Sequence, residues 1–511
     1  MRKNKGITLI ALIITIIIML ILVAVSVNVL IKSNLIGTAE NAVDKYKTAS
    51  EEEAKGGAIE INGKKYASIE DYINNKPLST IKINMEVTHE DTAVTADGTK
   101  VKTIKEGVPI PVGYYYVGGT KNTGVVISDE ESDENKGDAH SISATLTGNQ
   151  FVWVPVLQNQ KIKIEIEAED DITEIKIEDP LATEITKNSE NNDIIVGGKT
   201  NKSIINSTIN GEYRVTVKTA TDTNTETLYV GSLYAQDLTI SIELEISDIR
   251  KMAKEQNITE DEATKILTNG QFNTIAEATS FVKQGIKQMI TDSDIADHEE
   301  SVNKYGGFYI ARYEAGSENP RTGSSGTTDA VLSKANKYPY NSISPIDSIE
   351  KAKTISNGKT NVIAGLINGA VWDRTLNWLE ETKAVTRAEV TQDSTNWGNY
   401  KNSQFELTGK YSTNYGDTFT DSTTSTPKPQ DSEYLLGTGV SEYTKRNNIY
   451  DLAGNCWEWT TESYSSSARV VRGGNSFDLI GFDIPSYGRN YYSADTSDND
   501  ISFRSSLYVS L

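Results

Sequence analysis

The feature that most constrains this chain is a long apolar segment near its N-terminus. From Ile7 to Ile31 there are 25 residues without a charged side chain. A helix in hydrocarbon satisfies its own backbone hydrogen bonds, and about 20 apolar residues cross the bilayer core. The basic stretch 1–6 precedes the segment and acidic residues follow from Glu40, which places the N-terminus inside. The sequence predicts a membrane anchor through Ile7–Ile31 with the rest of the chain outside the cell. A cleaved secretory signal is the alternative.

Composition restricts the kinds of partner and chemistry. The 511 residues exceed one hydrophobic core, so several domains are expected. The net charge of −21 argues against nucleic acid as a partner, because phosphate binding needs a basic surface. Cys456 is the single cysteine, which excludes an internal disulfide. The three histidines, His89, His140 and His298, show no metal-ligand spacing.

The residues around the start of the apolar segment, Lys5–Ile10, resemble the cleavage region of type IV prepilins. The resemblance implies that a prepilin peptidase cuts after Gly6 and methylates Ile7, and that other pilins are partners. Ala11 stands where the family has a glutamate used in filament assembly. This departure favours a minor or tip subunit, or a simple membrane-held protein, over a major filament subunit. The predicted location is the cell membrane with an extracellular C-terminal domain, or the tip of a pilus or pseudopilus.

The rest of the chain reads as an α+β protein with one interrupted domain. Apolar residues that alternate with charged ones, as in 162–166, are typical of strands in a small antiparallel sandwich, predicted at 161–246. Capping-box pairs beginning at Thr259 and Thr274 predict two helices within 247–292. The predicted divisions are 1–54 (leader and transmembrane helix), 55–110 (short β-rich linker region), 111–160 (first part of a domain), 161–300 (insertion) and 301–511 (main part of that domain).

A series of short motifs in fixed order carries a second resemblance. The motifs are Phe151–Val156, Gly306–Glu314, Gly369–Asp373, Asn448–Trp459, Arg469–Gly474 and Ile501–Arg504. Together they resemble the formylglycine-generating-enzyme family, also called sulfatase-modifying factors, which has a C-type-lectin-like fold. The expected architecture is a long N-terminal transmembrane helix and a lectin-like head, interrupted by the sandwich and the two helices. One fold supports many sites, so function does not follow from it.

The same resemblance implies a structural calcium site in the turn before Trp457. Its ligands would be the carboxylates of Asp451 and Glu458 together with backbone carbonyls. Calcium prefers mixed oxygen ligands of this kind. The backbone carbonyls of the predicted site come from Leu452, Gly454 and Cys456. The alternative is a hydrogen-bonded turn without metal.

Catalysis is not expected from this sequence. Formylglycine generation needs a cysteine pair after the Arg-Gly-Gly motif to bind copper, and no cysteine follows Gly474. Related iron-dependent sulfoxide synthases need a histidine triad, which is not visible here. We therefore expect neither copper, iron nor haem. A formylglycine-generating-type oxidase and a structural minor pilin without a specific ligand remain alternative functions.

The last stretch, Gly473–Leu511, has the composition of a binding surface. It is rich in Tyr, Ser, Asp and Asn and lacks Lys, Glu, Gln, Met and Trp. Tyrosine and small polar residues make adaptable paratopes. The five missing types are those that an Asn codon cannot reach by changes at its adenines, so the stretch resembles variable proteins of diversity-generating retroelements. We expect variation within 475–502 and an adhesin or receptor head for an extracellular protein or glycan. The predicted ligand-binding residues are Asn475, Asp478, Tyr487, Asn490, Tyr491, Tyr492, Asp495, Asp498 and Asn499, with Arg472, Arg489, Phe503 and Arg504 as fixed framework.

Overall fold

The computed structural model describes residues 59–61, 64–66, 79–90, 92–131, 146–234, 244, 246–287, 292–321, 328–465, 467–477 and 484–511. The predicted anchor Ile7–Ile31, with its cleavage site at Gly6 and Ile7, lies outside these residues, as does Asp478. No helix within the described ranges is long and apolar enough to cross a bilayer. The described part is a mixed α+β structure with more strand than helix.

Four of the seven described α-helices directly follow the sandwich, and the other three lie further along the chain. The helices are α1 (Ile246–Gln256), α2 (Glu260–Leu267), α3 (Ile275–Lys287), α4 (Asp292–Tyr305), α5 (Pro345–Thr354), α6 (Gly369–Glu381) and α7 (Arg387–Thr391), with a 3-10 turn at Glu442–Thr444.

The strands form several separate sheets. The strands up to the first helix are β1 (Ile59–Ile61), β2 (Lys64–Tyr66), β3 (Ile81–Glu90), β4 (Val101–Lys105), β5 (Val108–Pro111), β6 (Tyr115–Gly118), β7 (Val126–Ser128), β8 (Gln150–Pro155), β9 (Gln158–Ala168), β10 (Ile172–Glu178), β11 (Thr200–Asn206), β12 (Gly211–Thr219) and β13 (Thr223–Val230). Those after it are β14 (Gly307–Ala311), β15 (Gly316–Ser317), β16 (Tyr338–Pro339), β17 (Val362–Leu366), β18 (Phe405–Ser412), β19 (Thr420–Lys428), β20 (Leu435–Leu436), β21 (Lys445–Arg446), β22 (Ile449–Tyr450), β23 (Trp457–Ser463), β24 (Ala468–Arg472), β25 (Arg489–Ser493), β26 (Ile501–Phe503) and β27 (Ser505–Val509).

The sandwich is built from two three-stranded antiparallel sheets, ordered β11-β9-β3 and β10-β12-β13. Alternate residues of β9 and β12 point into one core, where Ile164 and Val215 are fully buried. This is the period-two burial that the alternating sequence predicted. β3 pairs along its length with β9, although residues 81–90 precede the predicted insertion. The sandwich therefore takes one strand from the segment that was predicted to be a linker.

The head, as we call the body that carries the two larger sheets, combines distant parts of the chain. Its six-stranded sheet has the order β17-β27-β14-β8-β7-β6, and its four-stranded sheet has the order β25-β24-β23-β26. β8 pairs with β14 in antiparallel register, so a strand before the sandwich lies beside one after it. The amide of Val156 donates to the carbonyl of Gly306 at 3.0 Å. The two flanks of the sandwich and helices thus meet, as predicted from the sequence.

The helical segment differs from the prediction. Four helices, α1 to α4, occupy residues 246–305, where two were predicted. The capping box of Thr259 and Glu262 is present at α2, and Thr274 accepts from the amide of Glu277 at α3. α1 and α4 were missed because both carry many charged residues and bury only a narrow stripe, around Ile249 in α1 and Val302 in α4. Since α3 packs against β23 and α4 against β14 and β27, this segment contributes to the core of the head.

Candidate ligand-binding site

The four-stranded sheet positions the C-terminal segment. β25 forms its edge and pairs only with β24, which places Tyr491 opposite Val470 and Arg489 opposite Arg472. β26 lies at the other edge and runs parallel to β23. Since β25 and β26 run in the same direction, the residues between them return from the Ser493 end of the sheet to the Ile501 end. We call the surface formed by the described ligand-binding candidates the C-terminal face: Tyr487, Asn490, Tyr491, Tyr492, Asp495, Asp498 and Asn499.

A buried ion network forms the floor of this face. Glu462 on β23 accepts from Arg472 at 2.9 Å and from Arg489 at 3.0 Å. Asp373 on α6 accepts from the same two guanidinium groups, with Arg489 at 2.7 Å. Burial raises the pKa of the Glu462 carboxyl, but the two guanidinium groups outweigh it and lower that pKa to about 2. Glu462 therefore stays ionised at neutral pH. The network connects α6 with β23, β24 and β25.

The predicted framework residues are buried. Arg472, Phe503 and Arg504 have no exposed surface, and Arg489 is 7% exposed. Arg504 pairs with Glu458 at 2.6 Å and also donates to the carbonyl of Ala311. The arginines expected to hold the fold therefore do so through paired carboxylates, which makes their burial tolerable.

Aromatic side chains form the exposed layer above the floor. Tyr491 is 38% exposed, and its ring stacks on that of Tyr464 with centroids 3.8 Å apart. Tyr492 points to the opposite side of the strand and meets Trp459 edge to face at 6.3 Å. Successive residues of a strand face opposite sides, so only one of the two tyrosines belongs to the outer surface. Tyr491 is the aromatic centre of the face and Tyr492 anchors the strand.

Tyr487 lies where the face meets the rest of the molecule. Its ring lies within 5.7 Å of the guanidinium groups of Arg387, Arg472 and Arg489. Arg387 also covers the ring of Tyr229 on β13 at 3.9 Å. Cation–π contacts of this kind connect the sandwich, α7 and the C-terminal segment.

The remaining candidates divide into exposed and buried groups. Asp495 and Asp498 are exposed, whereas Asn499 is half-buried and donates to the carbonyl of Tyr415 at 2.7 Å. Asn475 is 2% exposed and its amide donates to Asp500 at 2.6 Å. Asn475 therefore lies behind the C-terminal face and does not reach its surface.

Sequence reasoning missed several residues of the site. Tyr464 contributes a half-buried ring and Arg387 a guanidinium group, and Asp373 and Glu462 neutralise the framework arginines. These residues lie outside Gly473–Leu511, so its composition gave no signal for them. The one relevant signal in the sequence was the pattern Arg-Val-Val-Arg in β24, because arginines in a buried strand need acidic partners.

The turn predicted to bind calcium is buried against neighbouring segments. Asp451 has a φ of 59° and accepts from the amide of Gly439 at 2.8 Å and from the Thr444 hydroxyl at 2.7 Å. Glu458 is engaged with Arg504. A Cβ on Gly454 would lie 2.2 Å from the carbonyl oxygen of Asn399, so this position requires glycine. Asp451, Leu452, Gly454 and Cys456 lie in this turn and Glu458 lies in β23, and both carboxylates accept hydrogen bonds from the protein.

The acidic side chains around this turn are buried. Asp451, Glu458 and a third carboxylate, Glu314, are buried with Arg504 as their cationic partner. Oε1 of Glu314 has no hydrogen-bond partner, and burial together with Glu458 and Asp451 raises the pKa of Glu314 well above its usual range. Within the described ranges, no three His, Cys, Asp or Glu side chains have an arrangement suited to a metal ion. A cation here would rely on backbone carbonyls and share Glu458 with Arg504.

Cys456 lies in the same turn and is fully buried. Burial, Glu314 and Asp500 raise the pKa of its thiol well above the usual range. A nucleophilic or metal-binding cysteine is a thiolate in an accessible, electropositive site. The surroundings of Cys456 have the opposite character.

Comparison with known proteins agrees with the second resemblance. Residues 262–506 match the family model described as the sulfatase-modifying factor enzyme 1-like domain. Residues 262–506 are therefore similar to the domain of this family. The matched segment begins inside the predicted insertion, so α3 and α4 fall within it. No curated protein matches the chain in sequence.

Two solved structures are also similar to this chain. A structure titled "Crystal Structure of CarF" shares 14% identity at a TM-score of 0.25, covering 40% of this chain and 87% of its own. "Structure of PvdO from Pseudomonas aeruginosa" shares 14% identity at a TM-score of 0.23, covering 40% of this chain and 81% of its own.

Proposed function

We propose that this protein is a non-catalytic surface receptor or adhesin whose ligand binds the C-terminal face. The observation that carries this proposal is the stacked pair of exposed Tyr491 on the edge strand β25 and half-buried Tyr464 after β23, next to arginines that Asp373 and Glu462 hold in place. Rigid aromatic contact area costs little conformational entropy on binding. A preformed floor reduces that cost further.

The proposal includes a membrane location outside the cell. The apolar segment Ile7–Ile31 supplies the anchor, and the prepilin-like Gly6–Ile7 junction supplies a cleavage site. Incorporation at the tip of a pilus, with other pilins as neighbours, is consistent with Ala11. Mass spectrometry of the surface protein tests this location, because an intact Met1 or a cut beyond Ser26 contradicts it.

The absence of catalysis rests on the cysteine inventory and on the burial of Cys456. The family-type oxidase needs a cysteine pair after Gly474, and the sequence has none there. The single thiol is buried with a raised pKa. Oxygen consumption in the presence of a cysteine-bearing peptide would support the enzyme instead.

The variable-protein origin of the face is part of the same proposal. Asn475 and Ser502 depart from the family pattern, and residues 475–502 have the composition that adenine changes in Asn codons produce. Sequencing the 3′ end of the gene in related isolates tests this origin. Variation at adenines and a neighbouring repeat beside a reverse transcriptase support it, and invariant codons without a repeat contradict it.

Binding is tested with the full chain against arrayed glycans and extracellular proteins. For a partner found there, Tyr491→Ala should weaken binding at least about thirtyfold, as expected for a central aromatic contact. Ile346→Ala is the matched control, because Ile346 is 60% exposed and lies outside the C-terminal segment. Equal affinities of the wild type and Tyr491→Ala would favour a structural pilin whose C-terminal segment only packs.

A further inference from the structure

The sandwich carries a polar cavity that is separate from the C-terminal face. Its volume is about 320 Å³, and it lies where residues 179–194 leave β10 before the chain returns through β11. Most of its lining residues are exposed or half-buried, so the cavity is accessible from solvent. The polar residues that the argument uses are Asp179, Lys187, Asn188, Asn191, Asn206 and Thr208.

Short turns hold the cavity wall in a defined conformation. Oδ1 of Asp179 accepts from the amides of Leu181 and Thr183 at 2.9 and 2.8 Å. Oδ1 of Asn188 accepts from two further amides, and the amide of Ser189 donates to the carbonyl of Ile204 at 2.7 Å. Turns of this type replace regular secondary structure with side-chain hydrogen bonds. The wall is therefore fastened to β11 without a ligand.

Two primary amides in the cavity are available to a ligand. The side chains of Asn191 and Asn206 are exposed and make no hydrogen bond within the part of the chain that the structure describes. A primary amide offers two donors and one acceptor oxygen. The hydroxyl of Thr208 adds a group that donates and accepts. The wall thus offers both donors and acceptors.

The charge of the cavity excludes other ligand classes. The ammonium of Lys187 lies 2.5 Å from the carboxylate of Asp193, which neutralises it toward an anionic ligand. Asp179 supplies the one carboxylate of the lining, too few for a hard cation that needs six to eight oxygens. Ile185 is the one aliphatic residue of the lining, so an apolar ligand would leave the amides without partners.

We infer that this cavity binds a neutral saccharide. Adjacent hydroxyls of a sugar ring each donate and accept, which suits the donors and acceptors of Asn191, Asn206 and Thr208. A volume of 320 Å³ lies at the lower end of the range of small-molecule pockets, about 300–1,000 Å³, and suits a small sugar. This inference is independent of the ligand proposed for the C-terminal face.

Saturation-transfer NMR on the full chain tests the inference, with the methyl glycosides of glucose, galactose, mannose and N-acetylglucosamine as probes. Asn191→Gly removes one amide at a residue whose φ is 66°, a conformation glycine adopts freely. Asn206→Ala removes the other amide. At least one glycoside should bind the wild type, and each variant should weaken it by about fivefold to tenfold.

Asn159→Gly is the matched control, because Asn159 is exposed in the same sandwich and has a φ of 52°. It should leave the signal unchanged, as should Tyr491→Ala on the C-terminal face. Absence of transfer to all four glycosides overturns the inference. A signal that persists in Asn191→Gly combined with Asn206→Ala, or that Tyr491→Ala abolishes, also overturns it.

Discussion

The head and the sandwich differ in how the residues of their strands are buried. Along β12 of the sandwich, buried Val215 and Val217 alternate with solvent-facing residues. Charged side chains on other sandwich strands form surface pairs, such as Lys202 on β11 with Glu165 on β9. In the head, every residue of β23 is buried, including Glu458 and Glu462. Sandwich strands thus follow a simple amphipathic rule, whereas head strands need specific ion pairs. The head should therefore depend on single charged residues in a way that the sandwich does not.

The strongest test of this contrast removes one acidic partner in each region. Glu462→Ala leaves Arg472 and Arg489 buried with one carboxylate fewer, which should lower the free energy of unfolding by about 3–5 kcal/mol. Glu165→Ala, the control in the sandwich, removes surface pairs with Lys163 and Lys202 and should change the free energy of unfolding far less. Urea unfolding measures both. Equal losses in the two variants would contradict the contrast.

Removing calcium tests whether the stability of the head also depends on a bound ion. If the turn at Asp451–Glu458 binds calcium, chelation should lower the melting temperature and added calcium should restore it. Binding to the folded state alone stabilises by about 2.7 kcal/mol at a hundredfold excess over the dissociation constant. Magnesium in place of calcium is the control. An unchanged melt, with no metal found by elemental analysis, would assign the turn to hydrogen bonds alone.

Acid should destabilise the contact between α4 and the head. His298 is 7% exposed, stacks on Tyr508 at 4.0 Å and has an unpartnered Nδ1. Burial lowers the pKa of His298 to about 4, against an ordinary value of 6.5. The unfolded chain binds the proton first, so stability is full above pH 6.5 and falls as the pH drops toward 4.

The expected loss between pH 7.5 and 5 is about 2 kcal/mol. His298→Phe keeps the stacked ring and removes the titration, so its stability should change less over the same interval. Thermal melts at matched ionic strength measure the difference. Parallel pH profiles for the wild type and His298→Phe would show that another group is responsible.

The smallest effect is expected from removing most of the sandwich. Replacing 161–229 with a short Gly/Ser linker retains Gly231, whose carbonyl accepts from Arg374 at 2.8 Å, and retains α1 to α4. Because Val156 and Gly306 already meet, the head should keep cooperative unfolding. The matched comparison extends the linker over 161–300, which deletes core residues such as Ile249 and should abolish that cooperativity. Equal behaviour of the two deletions would show that the helices are not integral.

The contrast also explains what could be predicted from the sequence. Alternation in 162–166 and 213–217 predicted the sandwich core, because each strand of the sandwich has one buried face. The motif order predicted the family domain, which the match over 262–506 supports. α1 and α4 were not predicted because many charged residues obscure their narrow buried stripes, and the pairing of β3 with β9 was not predicted because it joins distant segments.

The candidate site shows the same limit. Composition singled out Tyr491 and the framework arginines, whose exposure and burial agree with their predicted roles. It also included Asn475, which is buried, because residue type alone does not reveal which side of a chain faces solvent. Asp373 and Glu462 reach the site from α6 and β23. No local sequence pattern connects either carboxylate with Arg489, which lies on another strand.

The position of β25 at the edge of its sheet has a consequence for how the protein can change over generations. An edge strand has one neighbour, so a substitution at Asn490 or Tyr491 perturbs a single ladder, while Arg489 keeps its buried carboxylates. Tyr464 lies outside 475–502 and offers a constant ring to whichever side chain replaces Tyr491. If residues 475–502 vary as proposed, the arrangement separates evolvability from folding at Tyr491, because the neighbouring Arg489 and Tyr492 hold the strand in place.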